Sequence, residues 1–203
     1  MISSPESLEL THQIRGENQA ILVGIGTVLQ DNPRLNCRIP GGCPQQPVRI
    51  ILDSSLRLPL SSIIVQTAGD QPTLVMHGPP GSAETKGSFH ARRDTLRQSG
   101  ILTHEISRNQ NGGLVLDQVM AKLQSMGIIS VFVEGGSAVL TSFIRSGYYD
   151  LLTIMIAPVL IGTGIEAIAD LGILYLTQAR KLETVWMKSF GIDMVWRLRP
   201  ILS

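Results

Sequence analysis

The sequence lacks an excess of charge of either sign. Seventeen Lys and Arg stand against sixteen Asp and Glu, a formal net charge of +1. That balance argues against nucleic acid or an anionic membrane surface as partner. No apolar run approaches the roughly 20 residues of a membrane span. The opening Met-Ile-Ser-Ser-Pro-Glu lacks the basic and apolar regions of a secretory signal, so a soluble, cytoplasmic protein is expected. Cysteine is nearly absent. Cys37 and Cys43 are separated by Arg-Ile-Pro-Gly-Gly, a spacing that fits no common zinc pattern, and the four histidines (His12, His77, His90, His104) are scattered. No metal site is expected, and the two cysteines read as free thiols, since a disulfide would be unusual in the cytosol. A G-x-S-x-G elbow, a Cys–His pairing, an internal repeat and a low-complexity linker are all missing.

What is present is 203 residues with 43% hydrophobic content, enough for one domain over 1–203. Its most informative stretch runs from Ile128 to Gly147. Ile129, Val131, Phe132 and Val133 predict a short buried strand ended by Glu134. Gly135 and Gly136 follow, then Ser137 as N-cap of a helix from Ala138, with Val139, Leu140, Phe143 and Ile144 at helical spacing and Gly147 as its stop. A strand, two glycines and a helix start can hold an anion, because the backbone approaches closely and unpaired N–H groups point outward. An ordinary tight turn explains the glycines equally well. Glu134 favours the ligand reading, since it stands at the carboxyl end of a strand, where open α/β sheets bind.

The rest of the chain alternates strands with helices. Residues 7–18 predict a helix capped by Ser3 or Ser4, with Pro5 in the first turn and Leu8 and Ile14 inward. Ala20–Val23 is a strand leading into Gly24-Ile25-Gly26-Thr27, a sharp turn that is no G-x-G-x-x-G fingerprint because Leu29 replaces the third glycine. Residues 28–48 form a long polar and Pro/Gly-rich loop, which at this length is functional or disordered; its polar cluster Gln30–Arg38 favours function. Further strands are expected at Val48–Leu52, Thr73–Met76, Ile101–Ile106 and Leu151–Ala157, a loop at Pro80–Ser88, and helices at Phe89–Ser99 and from Leu114 through Leu123. Leu182–Ser189 and Met194–Leu198 predict a closing hairpin around Gly191-Ile192-Asp193. The fold class is α/β, mostly parallel, with an antiparallel edge.

Several polar groups then fall at or beyond carboxyl ends of strands: Thr27 with Asp31, Asp53 with Ser54, and Glu134 with its glycines. Arg38 and Arg34 offer guanidinium forks for phosphate or carboxylate. Asp31 and Asp53 serve equally as turn caps, Arg34 reads better as a solvated charge, and Arg92, Arg93 and Arg97 read as the outer face of a helix. Physical reading stops there, at an anion-binding cleft.

Four segments carry it further. Ile21–Arg38 (I-L-V-G-I-G-T-V-L-Q-D-N-P-R-L-N-C-R), Pro47–Pro59 (P-V-R-I-I-L-D-S-S-L-R-L-P), Val131–Leu140 (V-F-V-E-G-G-S-A-V-L) and Ile156–Gly164 (I-A-P-V-L-I-G-T-G) resemble, in order, the riboflavin-biosynthesis pyrimidine reductase family. That family is the reductase half of a bifunctional deaminase/reductase and also occurs alone. The resemblance implies a dihydrofolate-reductase-like three-layer fold, a homodimer, and NADPH-dependent reduction of the ribosyl group of an aminopyrimidine 5′-phosphate to ribityl. It implies that Thr27, Asp31, Ser54 and the run Gly135, Gly136, Ser137, Ala138, Val139, Leu140, Thr141 and Ser142 bind NADPH. Arg15, Leu35, Arg38 and Glu134 would meet the substrate, the arginines through its phosphate, with Asp31 or Glu134 as the catalytic acid. Asn32 stands where the family usually carries a second acidic residue. Family members also have a segment ahead of the position where this chain opens, with a first strand and a Ser-x-Asp-Gly-like motif. The strand therefore comes from upstream or from another chain, or the protein is a catalytically impaired relative that binds a ligand or partner.

Overall fold

The computed structural model describes residues 2–81 and 86–201. Part of the loop expected at Pro80–Ser88, residues 82–85, lies outside the described residues; the helix after it starts earlier than expected, at Lys86. In order, the elements are α1 (Pro5–Glu17), β1 (Ala20–Gly24), α2 (Ile25–Asp31), β2 (Val48–Leu52), α3 (Ile63–Gln66), β3 (Thr73–His77), α4 (Lys86–Gln98), β4 (Leu102–Glu105), α5 (Leu116–Ser125), β5 (Val131–Val133), α6 (Ser137–Ser146), β6 (Leu152–Ile156), β7 (Leu182–Phe190) and β8 (Asp193–Pro200).

Five strands form a wholly parallel sheet in the order β4-β3-β2-β1-β5. Period-2 alternation sorts its side chains onto two covered faces. Ile21, Val23, Ile51 and Val75 pack with Ile25, Val28, Ile64 and Leu96 of α2, α3 and α4. Leu22, Ile50, Leu74 and Met76 pack with Val119, Leu123 and Phe143 of α5 and α6. The result is three layers, with β1 and β3 buried along their whole length.

The closing hairpin pairs with β6 in a sheet of its own, order β6-β8-β7, instead of extending the parallel sheet as an edge. Among the described residues, β5 pairs only with β1 and β6 only with β8, so each has one edge without a partner strand. Helix α1 joins the two sheets: Leu10 and Ile14 sit in one cluster with Phe132 of β5, Met155 of β6 and Val195 of β8. Ser4 caps α1 as expected, accepting from the Ser7 amide, and Pro5 holds the first position. The inward residue beside Ile14 is Leu10, while Leu8 is only half-buried. The amide of Ser4 donates to Asp193 (2.7 Å) and its hydroxyl to the carbonyl of Phe190 (2.8 Å), so the start of α1 is tied to the hairpin.

Two expectations are corrected. Ser137 is not the N-cap of α6: Gly136, at φ +79°, takes the non-helical turn and leaves Ser137 as the first helical residue. Cys37 and Cys43 are joined in a disulfide, with Cα atoms 6.2 Å apart. Gly41 and Gly42, at φ +85° and +84°, reverse the chain and bring Cys43 back within bridging range.

Candidate functional site

Glu134 continues the β5 ladder, its amide donating to Leu22 at 2.9 Å. Its carboxylate is taken by Arg15 of α1, 119 residues earlier: Nε to Oε1 at 2.5 Å and Nη2 to Oε2 at 2.6 Å. Both side chains are largely shielded from water (14% and 18% exposed), and this two-pronged geometry strengthens the pair. The third arm of Arg15, Nη1, donates to the carbonyl of Asn36 (3.0 Å). One guanidinium therefore ties α1, the end of β5 and the 32–47 loop together. The family resemblance implied Arg15 and Glu134 as separate substrate contacts; the fold makes them partners.

Beyond Glu134 the backbone turns through Gly135 and Gly136, both left-handed, into α6, whose first turn has no side-chain cap. A Cβ on Gly136 would lie 3.3 Å from Thr27 Oγ1, so Thr27 sits directly against these glycines. A Cβ on Gly24 would lie 2.8 Å from Val139 Cγ2, which explains the glycine ending β1: it lets α6 close on the start of α2. Uncapped amides, two glycines at positive φ and a hydroxyl thus meet at one helix start, the arrangement that binds anions at helix N-termini. Asp31, one turn past Thr27 and so on the same face of α2, is exposed. The hydroxyls of Thr141 and Ser142 donate to the helix carbonyls of Ser137 (2.6 Å) and Ala138 (2.8 Å). Ser54 stands apart, beyond β2, where its carbonyl receives the Gly78 amide and the Arg108 guanidinium.

The stretch 34–37 is irregular, yet four successive carbonyls are each held by a side chain from elsewhere. Arg34 is held by Arg49 (3.4 Å), Leu35 by Gln71 (3.0 Å), Asn36 by Arg15 (3.0 Å) and Cys37 by Gln46 (2.9 Å). Arg49 is fully buried and also donates to Thr73, Ile64, Thr67 and Gln71. Burial lowers its pKa to about 10, opposed by Asp70 and aided by Arg34. Leu35 is at φ +50° with its side chain inside the core, so it shapes the loop from within. Asn32 ends α2 in the left-handed conformation and accepts the Ile63 amide (2.9 Å), a structural use of the residue that departs from the family resemblance. Arg38 is exposed beside His12.

Arg49, Gln71, Gln46 and His12 were not singled out from the sequence. A charged residue inside the apolar run Val48–Leu52 was the one available signal, for Arg49. Arg92, assigned to an outer helix face, instead turns inward to the carbonyls of Leu56 (2.5 Å) and Leu58 (2.8 Å). Asp53 is buried, accepts the Leu58 amide (2.8 Å), and burial raises its pKa; it braces the turn after β2.

Residues 1–195 match the family described as the RibD C-terminal domain. A riboflavin biosynthesis protein RibD from Aquifex aeolicus is 34% identical over 195 residues, covering 96% of this chain and 50% of that protein. A 2,5-diamino-6-ribosylamino-4(3H)-pyrimidinone 5′-phosphate reductase from Methanothermobacter thermautotrophicus is 31% identical over 198 residues, covering 96% of this chain and 85% of that one. Among solved structures, Acinetobacter baumannii RibD superposes with a TM-score of 0.82 at 25% identity, over 99% of this chain and 52% of that one. The chain spans about half the length of the RibD proteins it matches.

Proposed function

The chain belongs to the RibD C-terminal domain family, and from that premise we propose that it is a pyridine-nucleotide-dependent reductase of riboflavin biosynthesis. Its substrate in this reading is an aminopyrimidine ribosyl 5′-phosphate, whose ribosyl group becomes ribityl, and its cofactor is NADPH. One observation carries the reading: Glu134, paired with Arg15, is followed at once by the two glycines and the uncapped helix. A ribose-side carboxylate and a phosphate cradle thus adjoin on one strand end. The residues present fit a dinucleotide, because Gly136, at φ +79°, packs closely on Thr27 and the turn presents backbone amides and a hydroxyl.

When bound, the cofactor supplies the hydride; the protein supplies position and charge. The start of α6, Gly135 to Ser142, and Thr27 hold the cofactor phosphates, with Ser54 further along the same edge of the sheet. Arg38 takes the substrate phosphate. Arg15, with three of its five N–H groups held by Glu134 and Asn36, contributes positive charge and fixes the carboxylate. Both oxygens of Glu134 accept from Arg15, which suits it to accept from ribose hydroxyls as the sugar opens to an imine at C1′. Delivery of a proton falls to Asp31, the exposed acid on the Thr27 face. Exposed apolar residues along the segment after β6, Leu160, Ile161, Ile165, Leu174 and Leu176, support a homodimer.

Mixing the folded chain with NADPH and the aminopyrimidine ribosyl phosphate should consume the nicotinamide absorbance. No oxidation by folded protein contradicts the reading. The unpaired edges of β5 and β6 favour a second one, a relative that binds ligand or partner without turnover. Saturable NADPH binding with no oxidation supports that second reading, and sustained turnover eliminates it.

A further inference from the structure

The irregular stretch after α2 is held in two different ways along its length. Residues 34–37 are clamped carbonyl by carbonyl, and Gln46 grips both backbone groups of Cys37, accepting its N–H at 2.8 Å and donating to its C=O at 2.9 Å. From Arg38 to Gln45 the hold is lighter. Among the described residues its backbone ties are one turn bond, from the Gly42 amide to the Ile39 carbonyl (3.0 Å), and the Arg38 amide on His12. The remaining cross-tie is the Cys37–Cys43 bridge. That bridge rests on α1: a Cβ on Gly16 would lie 3.1 Å from Cys37 Sγ and 3.5 Å from Cys43 Sγ, so a glycine in the last helical turn makes room for both sulfurs. Cys37 is buried and Cys43 half-buried, which leaves Cys43 the more accessible sulfur. Cys37 Sγ also lies 3.3 Å from the carbonyl oxygen of His12, to which a thiol can donate a proton and a bridged sulfur cannot. The fold thus has a place ready for the reduced cysteine as well as for the bridge.

We propose that Cys37–Cys43 is a reversible redox clasp, opened by a dithiol, that sets the order of residues 38–45 and with it the position of Arg38. The consequence for substrate rests on the reductase reading; the clasp itself rests on the bridge, its seat on Gly16 and the waiting His12 carbonyl. In the opening step a thiolate of the dithiol attacks Cys43 Sγ, the S–S bond breaks, and Cys37 leaves as a thiolate that takes up a proton. The dithiol's second thiol then displaces Cys43 from the mixed disulfide, and Cys43 is protonated in turn. Two electrons and two protons pass to the cysteine pair, and the dithiol becomes a disulfide. Once open, residues 38–45 lose their cross-tie, whereas 34–37 keep their donors from Arg49, Gln71, Arg15 and Gln46. The Arg15–Glu134 pair keeps both of its bonds. Opening therefore acts on substrate affinity, through Arg38, and spares the cofactor side.

The test compares the full chain before dithiothreitol, after it, and after reoxidation in air, with thiols counted by a chromogenic disulfide reagent in denaturant. Before treatment no thiol should titrate; after treatment of the folded chain both cysteines should. Limited trypsin digestion, followed by mass spectrometry, then reads the segment itself. Cleavage after Arg38 is expected to run about five-fold faster or more in the reduced chain, and reoxidation should restore the slow rate. Reduction should raise KM for the aminopyrimidine ribosyl phosphate about five-fold, with kcat and KM for NADPH moving by less than about two-fold. Cys43→Ser should match the reduced chain with or without dithiothreitol. Thiols that titrate before treatment, a bridge that survives dithiothreitol in the folded chain, or equal cleavage rates in the two states overturn the proposal. So does an unchanged substrate KM in an active chain, or a parallel loss of kcat and NADPH affinity, which marks a bridge that merely supports the whole site. The wild-type comparison decides the matter even if the variant misfolds. Faster cleavage on reduction in a chain that oxidises no NADPH leaves the clasp standing and the reductase reading failed. Turnover with equal cleavage in both states overturns the clasp and leaves the reductase reading standing.

Discussion

The two sheets of this molecule are built to different rules. In the parallel sheet, β1 and β3 are buried at every position and helices cover both faces. In the antiparallel sheet, β7 is exposed at six of its nine positions, and the segment leading to it carries Leu160, Ile161, Ile165, Leu174 and Leu176 to the surface. Among the described residues, the first sheet is covered on both faces and open only at its edges, β4 and β5; the second is half covered. The candidate site occupies the seam between them, where α1 spans Phe132 and Met155 and hands Arg15 to Glu134. Site geometry therefore borrows rigidity from the parallel half, and the antiparallel half enters through its grip on the start of α1.

Breaking the rigid half should have the largest effect. Arg49→Met leaves several buried carbonyls without donors, and a loss of about 3–5 kcal/mol is expected in denaturant unfolding, with the 34–37 loop released from its anchor. An equally apolar change on the open face, Met187→Ala, should cost about 0.5 kcal/mol or less. Arg15→Met tests the seam: it strands Glu134, and kcat/KM should fall by about 100-fold or more while the unfolding free energy moves less than for Arg49→Met. Gly24→Ala sharpens the distinction within the parallel half. Its Cβ presses on Val139, so NADPH affinity should drop about ten-fold as α6 shifts, with phosphate binding at Arg38 unaffected.

The smallest effect lies at the hairpin. Asp193 accepts from the Ser4 amide and Ser7 hydroxyl, which hold its pKa below the ordinary carboxylate value. A depressed carboxylate contributes stability above its unfolded-state pKa and loses it as pH falls through the folded one. Asp193→Asn should therefore flatten the acid limb of the stability curve and leave its shape at neutral pH unchanged.

The parallel half was legible in the sequence because buried strands announce themselves as short β-branched runs such as Ile21-Leu22-Val23 and Ile50-Ile51-Leu52. Glu134 with its glycines was legible for a similar reason, as a break in such a run. Its pairing with Arg15 was not, since no local pattern links residues 119 apart. The carbonyl clamps on 34–37 come from Arg15, Gln46, Arg49 and Gln71, four positions with no common spacing. Nor did the sequence separate a turn glycine from a helix cap at Gly136, because backbone conformation, not residue type, assigns the role. The disulfide was hidden by the same ambiguity, in the left-handed turn at Gly41 and Gly42.

Transfer of label from cofactor to sugar tests the central claim most directly. With NADPH deuterated at the nicotinamide C4 position that is transferred, the ribityl product should carry one deuterium, at C1′. Cofactor oxidised without label reaching the product, or an unreduced substrate recovered beside a correctly folded chain, would contradict it.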